Sequence, residues 1–424
     1  MFSNRRTLTT SESDLSHEIE RDVQSCTQPS FKLARPKQPQ RVVSDCVANF
    51  LSYMGKKNPW PQPVTKDDEI WLLDNTAFLS TKKNRFGRTS TAWEAEFVTA
   101  VFSQKPSCVV RDVVVQMAEK IGLADNEEAK TTIETRLRPF LLDIQPGKQV
   151  FVLHGSNSLL VLGPGGRNGI TSDTKIINAA PAGMTIPTTA EVPKLTTGLL
   201  QSKTFFSDAE GWAVISDVDD TIKVTMTDEP VGILRSTFVD DPRPVPGMPE
   251  LYQFLQSQIT SASPFFYLSA SPYNLYPFLR NFRDSYYPHG QLILRDASWM
   301  SLPGLISTFT LGTQEYKTDR IKKIYQWLPK KKFIVIGDST QTDPEAYGEA
   351  YRTYGHKWIR LILIRKVTGV AAIGIDEKNK AERFEQAFEG VPRNVWHIFD
   401  QPSECYQVIR DVVKSTEETA WYLK

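Results

Sequence analysis

Three acidic residues follow directly on a short apolar run in the stretch "WAVISDVDDTIKVT", which covers residues 212–225. The apolar run predicts a buried strand, but packing does not explain Asp217, Asp219 and Asp220. Like charges at a strand end cost free energy unless a cation or a reaction uses them. Residues two apart can project to the same side, so Asp217 and Asp219 can converge on one point. The stretch therefore predicts carboxylate chemistry or a cation site.

Other residues with chemical side chains occur further along: Ser269 in "YLSASP", Lys317 in "EYKTDRI", and Asp338 and Asp343 in "IGDSTQTDPEAY". A carboxylate can attack phosphorus and form an aspartyl-phosphate, while a second acid protonates the leaving oxygen and later deprotonates water. Mg²⁺ prefers oxygen ligands and would neutralise clustered carboxylates and phosphate together. A lysine and a serine hydroxyl can stabilise the charge of the transferring group. Together these residue types indicate phosphoryl transfer.

The elements that must position these residues begin near residue 210, where short apolar strands alternate with helices. The strands are predicted at "WAVISD", "PFFYLSAS", "QLILRD", "KFIVIGDS" and "IRLILIRKV", and helices from Pro249, Tyr273, Glu315 and Pro344. Such alternation predicts an α/β fold with a doubly wound parallel sheet. Ligands of open parallel sheets bind beyond the carboxyl ends of the strands, where the acidic residues are expected.

A DxDxT motif, a small hydroxyl, a lysine and GDSxxxD in this order resemble the haloacid dehalogenase (HAD) superfamily of phosphatases. The segments "SDVDDTIKVT", "YLSASPYNLYPFL", "PHGQLILRD", "EYKTDRI" and "IGDSTQTDPEAY" resemble the catalytic domain of the fungal actin-patch phosphatidate phosphatase family, over about residues 195–415. The resemblance implies Mg²⁺-dependent hydrolysis of phosphatidate to diacylglycerol and phosphate. It also implies a phospholipid substrate at a membrane surface and a link to cortical actin and endocytic proteins.

The resemblance implies roles for the acidic residues. Asp217 would be the nucleophile, with one carboxylate oxygen on the metal, and Asp219 the general acid/base, with its backbone carbonyl on the metal. Asp338 would ligate Mg²⁺, and Asp343 would be a second ligand or a partner of a ligand. A bland alternative is that Asp343 only caps the helix that begins with Pro344.

The same resemblance implies that Thr221 supports the loop, Ser269 binds phosphoryl oxygens and Lys317 stabilises the pentavalent state. Ser269 could instead cap the following helix, and Lys317 could be a solvated helix lysine. The basic residues Lys223, Arg280, Arg283 and Arg295 are further candidates, for binding a phosphorylated head group, although surface basic residues usually have no specific role.

The predicted organisation has three parts: a disordered segment 1–40, a β-rich, sandwich-like domain 41–195 with a helical insert, and a HAD-like catalytic domain 196–424. The insert comprises helices in "RDVVVQMAEKIG" and "EEAKTTIETRLRPFLLDI", and the loop "LGPGGRNG" is predicted to be a turn rather than a phosphate cradle. An amphipathic helix is predicted over 41–54. It either packs on its own domain or lies at a membrane interface.

The insertion between Asp219 and Ser269 is about fifty residues long, too short for a large cap domain. It allows only a small flap, "VTMTDEPVGILRSTFVDD", and predicts an open site suited to a lipid or a protein.

The composition narrows the class of protein. A net charge of +1 gives no general attraction to nucleic acid, and four scattered cysteines argue against disulfides or zinc. Neither a membrane span nor a secretory signal is predicted, so a cytoplasmic protein peripheral to membranes or actin patches is expected. The Pro-rich tail of some family members is missing, which puts partner recruitment through it in doubt. Two alternatives stay open: a HAD phosphatase for another phospholipid or a phosphoprotein, and a scaffold with minor activity.

Overall fold

The computed structural model describes residues 55–83, 87–104, 122, 126–166, 168–226, 230–295, 313–368 and 375–422. The predicted disordered segment 1–40, the amphipathic helix at 41–54 and nearly all of the helix at 111–122 lie outside this range. Among the described residues, no helix combines the length and the apolar character needed to cross a bilayer.

The first half of the described chain forms a largely antiparallel sheet. Its strands are β1 (Gln62–Pro63), β2 (Asp68–Leu72), β3 (Asn75–Lys83), β4 (Thr89–Ser103), β5 (Lys148–His154), β6 (Ser158–Leu162), β7 (Ile170–Ile177), β8 (Thr185–Glu191), β9 (Thr197–Leu199) and β10 (Gln201–Phe206). The order is β1-β5-β8-β10-β3-β4-β2-β9, with β6 paired to β5 and β7 to β4. Helix α1 (Glu127–Leu141) is inserted between β4 and β5 and confirms the second predicted helix. The "LGPGGRNG" segment connects β6 to β7.

The last two strands of this sheet lie beyond residue 195. Strand β9 pairs with β2 and β10 pairs with β3, both in parallel. The first sheet therefore continues to Phe206, about ten residues past the boundary predicted between residues 195 and 196. Both strands are short and mostly polar, which is why their alternation gave no clear signal in the sequence.

The second half forms a parallel sheet of β11 (Trp212–Asp217), β12 (Phe265–Pro272), β13 (Gln291–Arg295), β14 (Lys332–Asp338), β15 (Ile359–Arg365) and β16 (Trp396–Phe399). Its order is β13-β12-β11-β14-β15-β16. The helices are α2 (Pro230–Phe238), α3 (Met248–Gln258), α4 (Tyr276–Tyr286), α5 (Thr313–Trp327), α6 (Asp343–Tyr354), α7 (Ile375–Lys378), α8 (Ala381–Ala387) and α9 (Cys405–Tyr422). Single 3₁₀ turns occur at Gly55–Lys57, Tyr273–Leu275, Arg393–Val395 and Pro402–Glu404. The five strands predicted from residue 210 onward are all present.

The parallel sheet is buried on both faces, as its continuous apolar strands predict. On β11, Val214 faces one hydrophobic cluster while Ala213 and Ile215 face another. The first cluster also contains Trp71 and Phe102 from the first sheet, so the two halves of the chain share a core.

Polar contacts join the two halves around Asp74, which follows β2. Its carboxylate oxygens lie 2.9 Å from Arg283 Nη2 and 3.2 Å from Arg280 Nη2, and its backbone N–H donates to the Tyr276 hydroxyl at 2.7 Å. The Asp74 side chain is fully buried, and that of Arg283 is only 1% exposed. Asp74, in the short connection between β2 and β3, thus fixes helix α4 of the second half.

Candidate active site

The site lies where the strand order of the parallel sheet reverses, between β11 and β14. A crevice forms at such a point because the connections from the two strands leave in opposite directions. Strand β11 ends at Asp217 and β14 ends at Asp338, so the sheet itself brings the two acids together. Asp343 joins them from the first turn of α6.

Asp217, Asp338 and Asp343 form a buried acidic cluster. One carboxylate oxygen from each lies within 4.8 Å of the other two. Lys317 Nζ lies 2.7 Å from Asp217 Oδ1 and also contacts Asp343 Oδ1. The hydroxyl of Thr221 donates to Asp217 Oδ2 at 3.1 Å and lies 3.3 Å from Asp338 Oδ2. The sequence-derived candidates brought together here are Asp217, Thr221, Lys317, Asp338 and Asp343.

The electrostatics of the cluster favour an additional positive charge. Burial raises the pKa of Asp217 well above its usual range, Asp343 adds to the rise, and Lys317 opposes it. Burial likewise raises the pKa of Asp338 to about 7, again with Asp343 adding and Lys317 opposing. Burial by itself would lower the pKa of Lys317, but Asp217 and Asp343 raise it above its usual value. One lysine therefore does not compensate three acids, and a bound cation would favour their ionised forms.

The donor set fits a hard divalent cation. It consists of carboxylate oxygens, which such ions prefer. Asp217 Oδ1 is buried and accepts no well-directed hydrogen bond from the described residues, although Lys317 is its ion-pair partner. Backbone N–H groups orient the other two carboxylates. The N–H of Thr340 donates to the Asp338 carboxylate at 2.6 Å, and the N–H of Asp338 donates to the Asp343 carboxylate at 3.0 Å.

Gly337 explains how Asp343 can approach the end of β14. A Cβ atom at this position would lie 2.6 Å from the Cβ, Cγ and Oδ2 atoms of Asp343. Only glycine leaves room for the carboxylate to sit against the strand. The "GD" pair of the "IGDS" segment is therefore a packing requirement of the acidic cluster.

The carboxylate of Asp219 accepts hydrogen bonds from a group of hydroxyls. Its Oδ2 accepts hydrogen bonds from Ser269 at 2.6 Å and Ser271 at 3.4 Å, and its Oδ1 accepts one from Thr225 at 2.9 Å. Ser269 and Ser271 lie on β12, and Thr225 lies in the loop after β11. Asp217 and Asp219, which the sequence placed on one side, therefore have separate partners.

Several residues of the site were missed in the sequence. Thr225 is the last residue of the stretch 212–225, and Ser271 lies two residues after Ser269. Their positions beside the predicted site residues could therefore have identified both. Thr340 donates to Asp338 through its backbone and its hydroxyl. Arg365, at the end of β15, donates to the carbonyl of Asp220 at 2.6 Å. Nothing in the sequence links that arginine to the loop, because the contact depends on the order of the strands.

The basic residues suggested for head-group binding are placed differently from that expectation. Arg283 is buried in the Asp74 contact and also donates to the carbonyl of Gly290. Arg280 pairs with Asp74 as well. Both stabilise the joint between the two halves, so the head-group role is wrong for Arg283, which is not accessible. Arg295 lies over the ring of Tyr316, 5.1 Å from its centroid.

Lys223 is 1% exposed and lies close to Asp219, with its Nζ 3.1 Å from the Thr225 hydroxyl. Burial lowers the pKa of its ammonium group, and Asp219 and Asp220 oppose this.

The key side chains are far less exposed than the short insertion predicts. Those of Asp217, Asp219, Thr221, Ser269, Lys317, Asp338 and Asp343 are all at most 2% exposed. The insertion is also packed against the rest of the molecule. Its helix α2 buries Ile233, Leu234 and Phe238, and helix α1 from the first half packs against it, with Phe140 and Phe238 in edge contact at 5.5 Å.

Two comparisons with known proteins bear on this site. Residues 212–366 match the family described as "Phosphatidate phosphatase APP1, catalytic domain". Over 140 residues the chain is 34% identical to phosphatidate phosphatase APP1 from Saccharomyces cerevisiae. That alignment covers 32% of this chain and 23% of the yeast protein, so the chain spans less than a quarter of that relative. Residues 212–366, which match the family, contain the whole acidic cluster, Lys317, Ser269 and Asp219.

Proposed function

We propose that the protein is a Mg²⁺-dependent phosphatidate phosphatase, because residues 212–366 match the family described as "Phosphatidate phosphatase APP1, catalytic domain". The observation that carries the proposal is the surroundings of Asp217. Its carboxylate lies between Lys317 and Thr221, with Asp338 and Asp343 completing an acidic cluster. The proposed nucleophile, the proposed cation ligands and the proposed charge-stabilising lysine thus lie next to one another.

The proposed reaction has two steps. In the first, a carboxylate oxygen of Asp217 attacks phosphorus, the bond from phosphorus to the diacylglycerol oxygen breaks, and Asp219 gives that oxygen a proton. In the second, water attacks the aspartyl-phosphate, its proton passes to Asp219, and phosphate leaves with Asp217 restored. Lys317 stabilises the negative charge on the transferring group, because its ammonium already lies 2.7 Å from the attacking carboxylate. Ser269, buried beside Asp219, is the hydroxyl that would bind phosphoryl oxygens.

Asp217, Asp338 and Asp343 would hold the Mg²⁺ ion, with the backbone carbonyl of Asp219 as a further proposed ligand. When bound, Mg²⁺ would compensate the negative charge of the carboxylates and of the phosphoryl group. Thr221 and Thr340 keep the ligands in place, since their hydroxyls donate to Asp217 and Asp338.

The wider assignments rest on the same resemblance. The proposed catalytic domain is HAD-like and doubly wound, and its strand order with apolar clusters on both faces supports this. A β-rich domain precedes it. A lipid substrate places the reaction at a membrane surface, and association with cortical actin patches and endocytic proteins in the cytoplasm is part of the proposal.

The test is phosphate release from phosphatidate in mixed micelles, with Mg²⁺ or EDTA, by the wild type and by Asp217→Asn. We expect Mg²⁺-dependent release that is lost in the variant, because an amide cannot form the acyl phosphate. Asp217-dependent release from an aryl phosphate, but not from phosphatidate, would retain the phosphatase and contradict the lipid substrate. No release from either would favour a scaffold.

A further inference from the structure

The general acid/base Asp219 is held on both of its oxygens, but by two different kinds of support. Oδ2 accepts from Ser269 and Ser271, which are fixed on the buried strand β12. Oδ1 accepts from Thr225, which lies in the loop between β11 and α2. The orientation of the carboxylate therefore depends on a loop residue that the reaction scheme does not use.

Lys223 fixes the direction of the hydrogen bond between Thr225 and Asp219. A lysine ammonium can only donate, so the contact at 3.1 Å uses a lone pair of the Thr225 hydroxyl oxygen. The single hydroxyl proton is then directed to an acceptor. Asp219 Oδ1 at 2.9 Å is closer to this hydroxyl than the carbonyl oxygen of Lys223 at 3.3 Å. The chain of contacts runs from Lys223 through Thr225 to Asp219.

The backbone of Thr225 is held from two sides. Its N–H donates to Asp220 Oδ1 at 2.8 Å, and its carbonyl accepts from the Ser236 hydroxyl at 2.8 Å. Ser236 belongs to α2, so a shift of that helix would move Thr225.

Helix α2 is in turn anchored by the first half of the chain. Arg136 on α1 donates through Nη1 to the carbonyl of Asp240 at 2.7 Å and lies 3.4 Å from that of Thr237. Its guanidinium lies over the Phe278 ring at 4.8 Å, and Lys223 Nζ is 5.7 Å from the centroid of that ring. Arg136 lies outside residues 212–366, the part that matches the catalytic-domain family.

We infer that Thr225 is a positioning residue for Asp219, and that Arg136 maintains its position through helix α2. The inference rests on the proposed function. It extends the machinery of the reaction to a helix from the upstream half, which thereby contributes to the rate of proton transfer and not only to stability.

The prediction concerns leaving groups. A misdirected acid slows the first step most when the leaving oxygen is strongly basic, as in the glycerol oxygen of phosphatidate. It matters little for 4-nitrophenyl phosphate, whose leaving group departs without a proton. Because kcat/KM covers steps only up to the first irreversible one, it separates this effect from the later use of Asp219 as a base.

The experiment compares Thr225→Val with Thr225→Ser, using soluble short-chain phosphatidate and 4-nitrophenyl phosphate. For valine, which keeps the shape but lacks the hydroxyl, we expect kcat/KM for phosphatidate to fall about 10-fold or more and that for the aryl ester less than about 3-fold. Serine restores the hydroxyl and should restore most of the phosphatidate rate. Equal losses on both substrates, or no recovery with serine, would overturn the positioning role.

Arg136→Ala tests the upstream part of the chain of contacts. We expect the same selective loss, with about 3-fold to 10-fold lower kcat/KM for phosphatidate, because the helix end is released rather than the hydroxyl removed. Arg393→Ala is the matched control, since Arg393 also lies over an aromatic ring, that of Trp396 at 4.1 Å, on an element that does not support α2. The supporting role of Arg136 would be contradicted if Arg136→Ala lowered kcat/KM equally for phosphatidate and 4-nitrophenyl phosphate, in step with a loss of thermal stability.

Two safeguards keep the outcomes distinct. If Thr225→Val fails to fold, Ser236→Ala removes the contact to the Thr225 carbonyl, together with a contact to the Ile233 carbonyl of its own helix, and should show a smaller loss of the same selective kind. A Ser236→Ala variant without this selective loss would contradict the inference. If the wild type releases no phosphate in an Asp217-dependent way, the proposed function fails and the inference fails with it. Normal wild-type activity with unselective variants overturns the inference alone.

Discussion

The position of the Asp343 carboxylate depends on a single atom, the Cβ that Gly337 lacks. The missing Cβ of Gly337 is what permits the Asp343 carboxylate to lie against the end of β14. We expect Gly337→Ala to weaken Mg²⁺ binding about 10-fold or more, because Asp343 must leave a position only 2.6 Å from the new methyl group. Calorimetric titration of the purified variants with Mg²⁺ measures this directly.

Gly166→Ala is the control for that change. Its added Cβ would meet nothing closer than 3.7 Å, and the residue lies in the loop between β6 and β7. Its Mg²⁺ affinity should equal that of the wild type. Unchanged affinity in the Gly337 variant would mean that Asp343 is not a ligand.

Among single side chains, the sequence identifies those whose chemistry is unusual for their context. Asp217, Asp338 and Lys317 could be named because clustered charges beside apolar strands have few structural uses. Thr225 could not be singled out in the same way, since threonines in loops are common and its partner is chosen by the folded backbone. The inaccessible position of Arg283 could not be foreseen either, because its partner Asp74 lies 209 residues away.

Helix α8 stabilises the loop that follows β14. Arg383 on α8 donates to the carbonyls of Ser339 and Gln341, both at 2.6 Å, and to the carboxylate of Glu345 at 2.8 Å. That loop joins the two predicted metal ligands Asp338, at the end of β14, and Asp343, in the first turn of α6. Arg383 itself lies beyond the residues that match the catalytic-domain family.

We expect Arg383→Ala to loosen this loop while leaving the strand intact. Two charge-assisted hydrogen bonds to carbonyls are lost, so backbone amides at 339–345 should exchange with deuterium about 10-fold faster or more. Hydrogen exchange read by mass spectrometry separates this loop from the core peptides of β11 and β14, which should not change. Exchange that is accelerated everywhere would indicate general destabilisation instead.

Among the strands and helices, those strands of the second half that were predicted were recognisable because each is a short apolar run followed by a polar residue. The helix from Glu127 was also predictable, since Asn126 caps its first turn by accepting from the N–H of Ala129. Strands β9 and β10 were not, because their pairing with β2 and β3 is a long-range event. For the same reason the packing of α1 on α2 was not foreseen.

The molecule as a whole depends on the joint between its halves. Asp74→Ala would leave the buried guanidinium of Arg283 without its carboxylate from the first sheet. We expect the free energy of unfolding to fall by about 3–5 kcal/mol, the usual result when one member of a buried ion pair is removed. Urea denaturation followed by tryptophan fluorescence measures the change.

The control is Asp319→Ala. Asp319 pairs with Arg320, but its side chain is 61% exposed. Exposed pairs contribute little, so this variant should unfold within about 0.5 kcal/mol of the wild type. Equal effects of the two substitutions would show that the Asp74 contact is not a stabilising joint.

The shared core and this joint also govern how the chain reaches its folded state. Glu96 pairs with Lys323 at 2.5 Å across 227 positions of the chain, and Asp74 pairs with Arg283 across 209. Contacts between such distant positions slow folding, because long loops must close before the contacts can form. During synthesis the first sheet emerges complete, yet it must wait for helices α4 and α5 before its buried acids find their partners. The upstream half is thus expected to need protection from aggregation until the downstream half has left the ribosome.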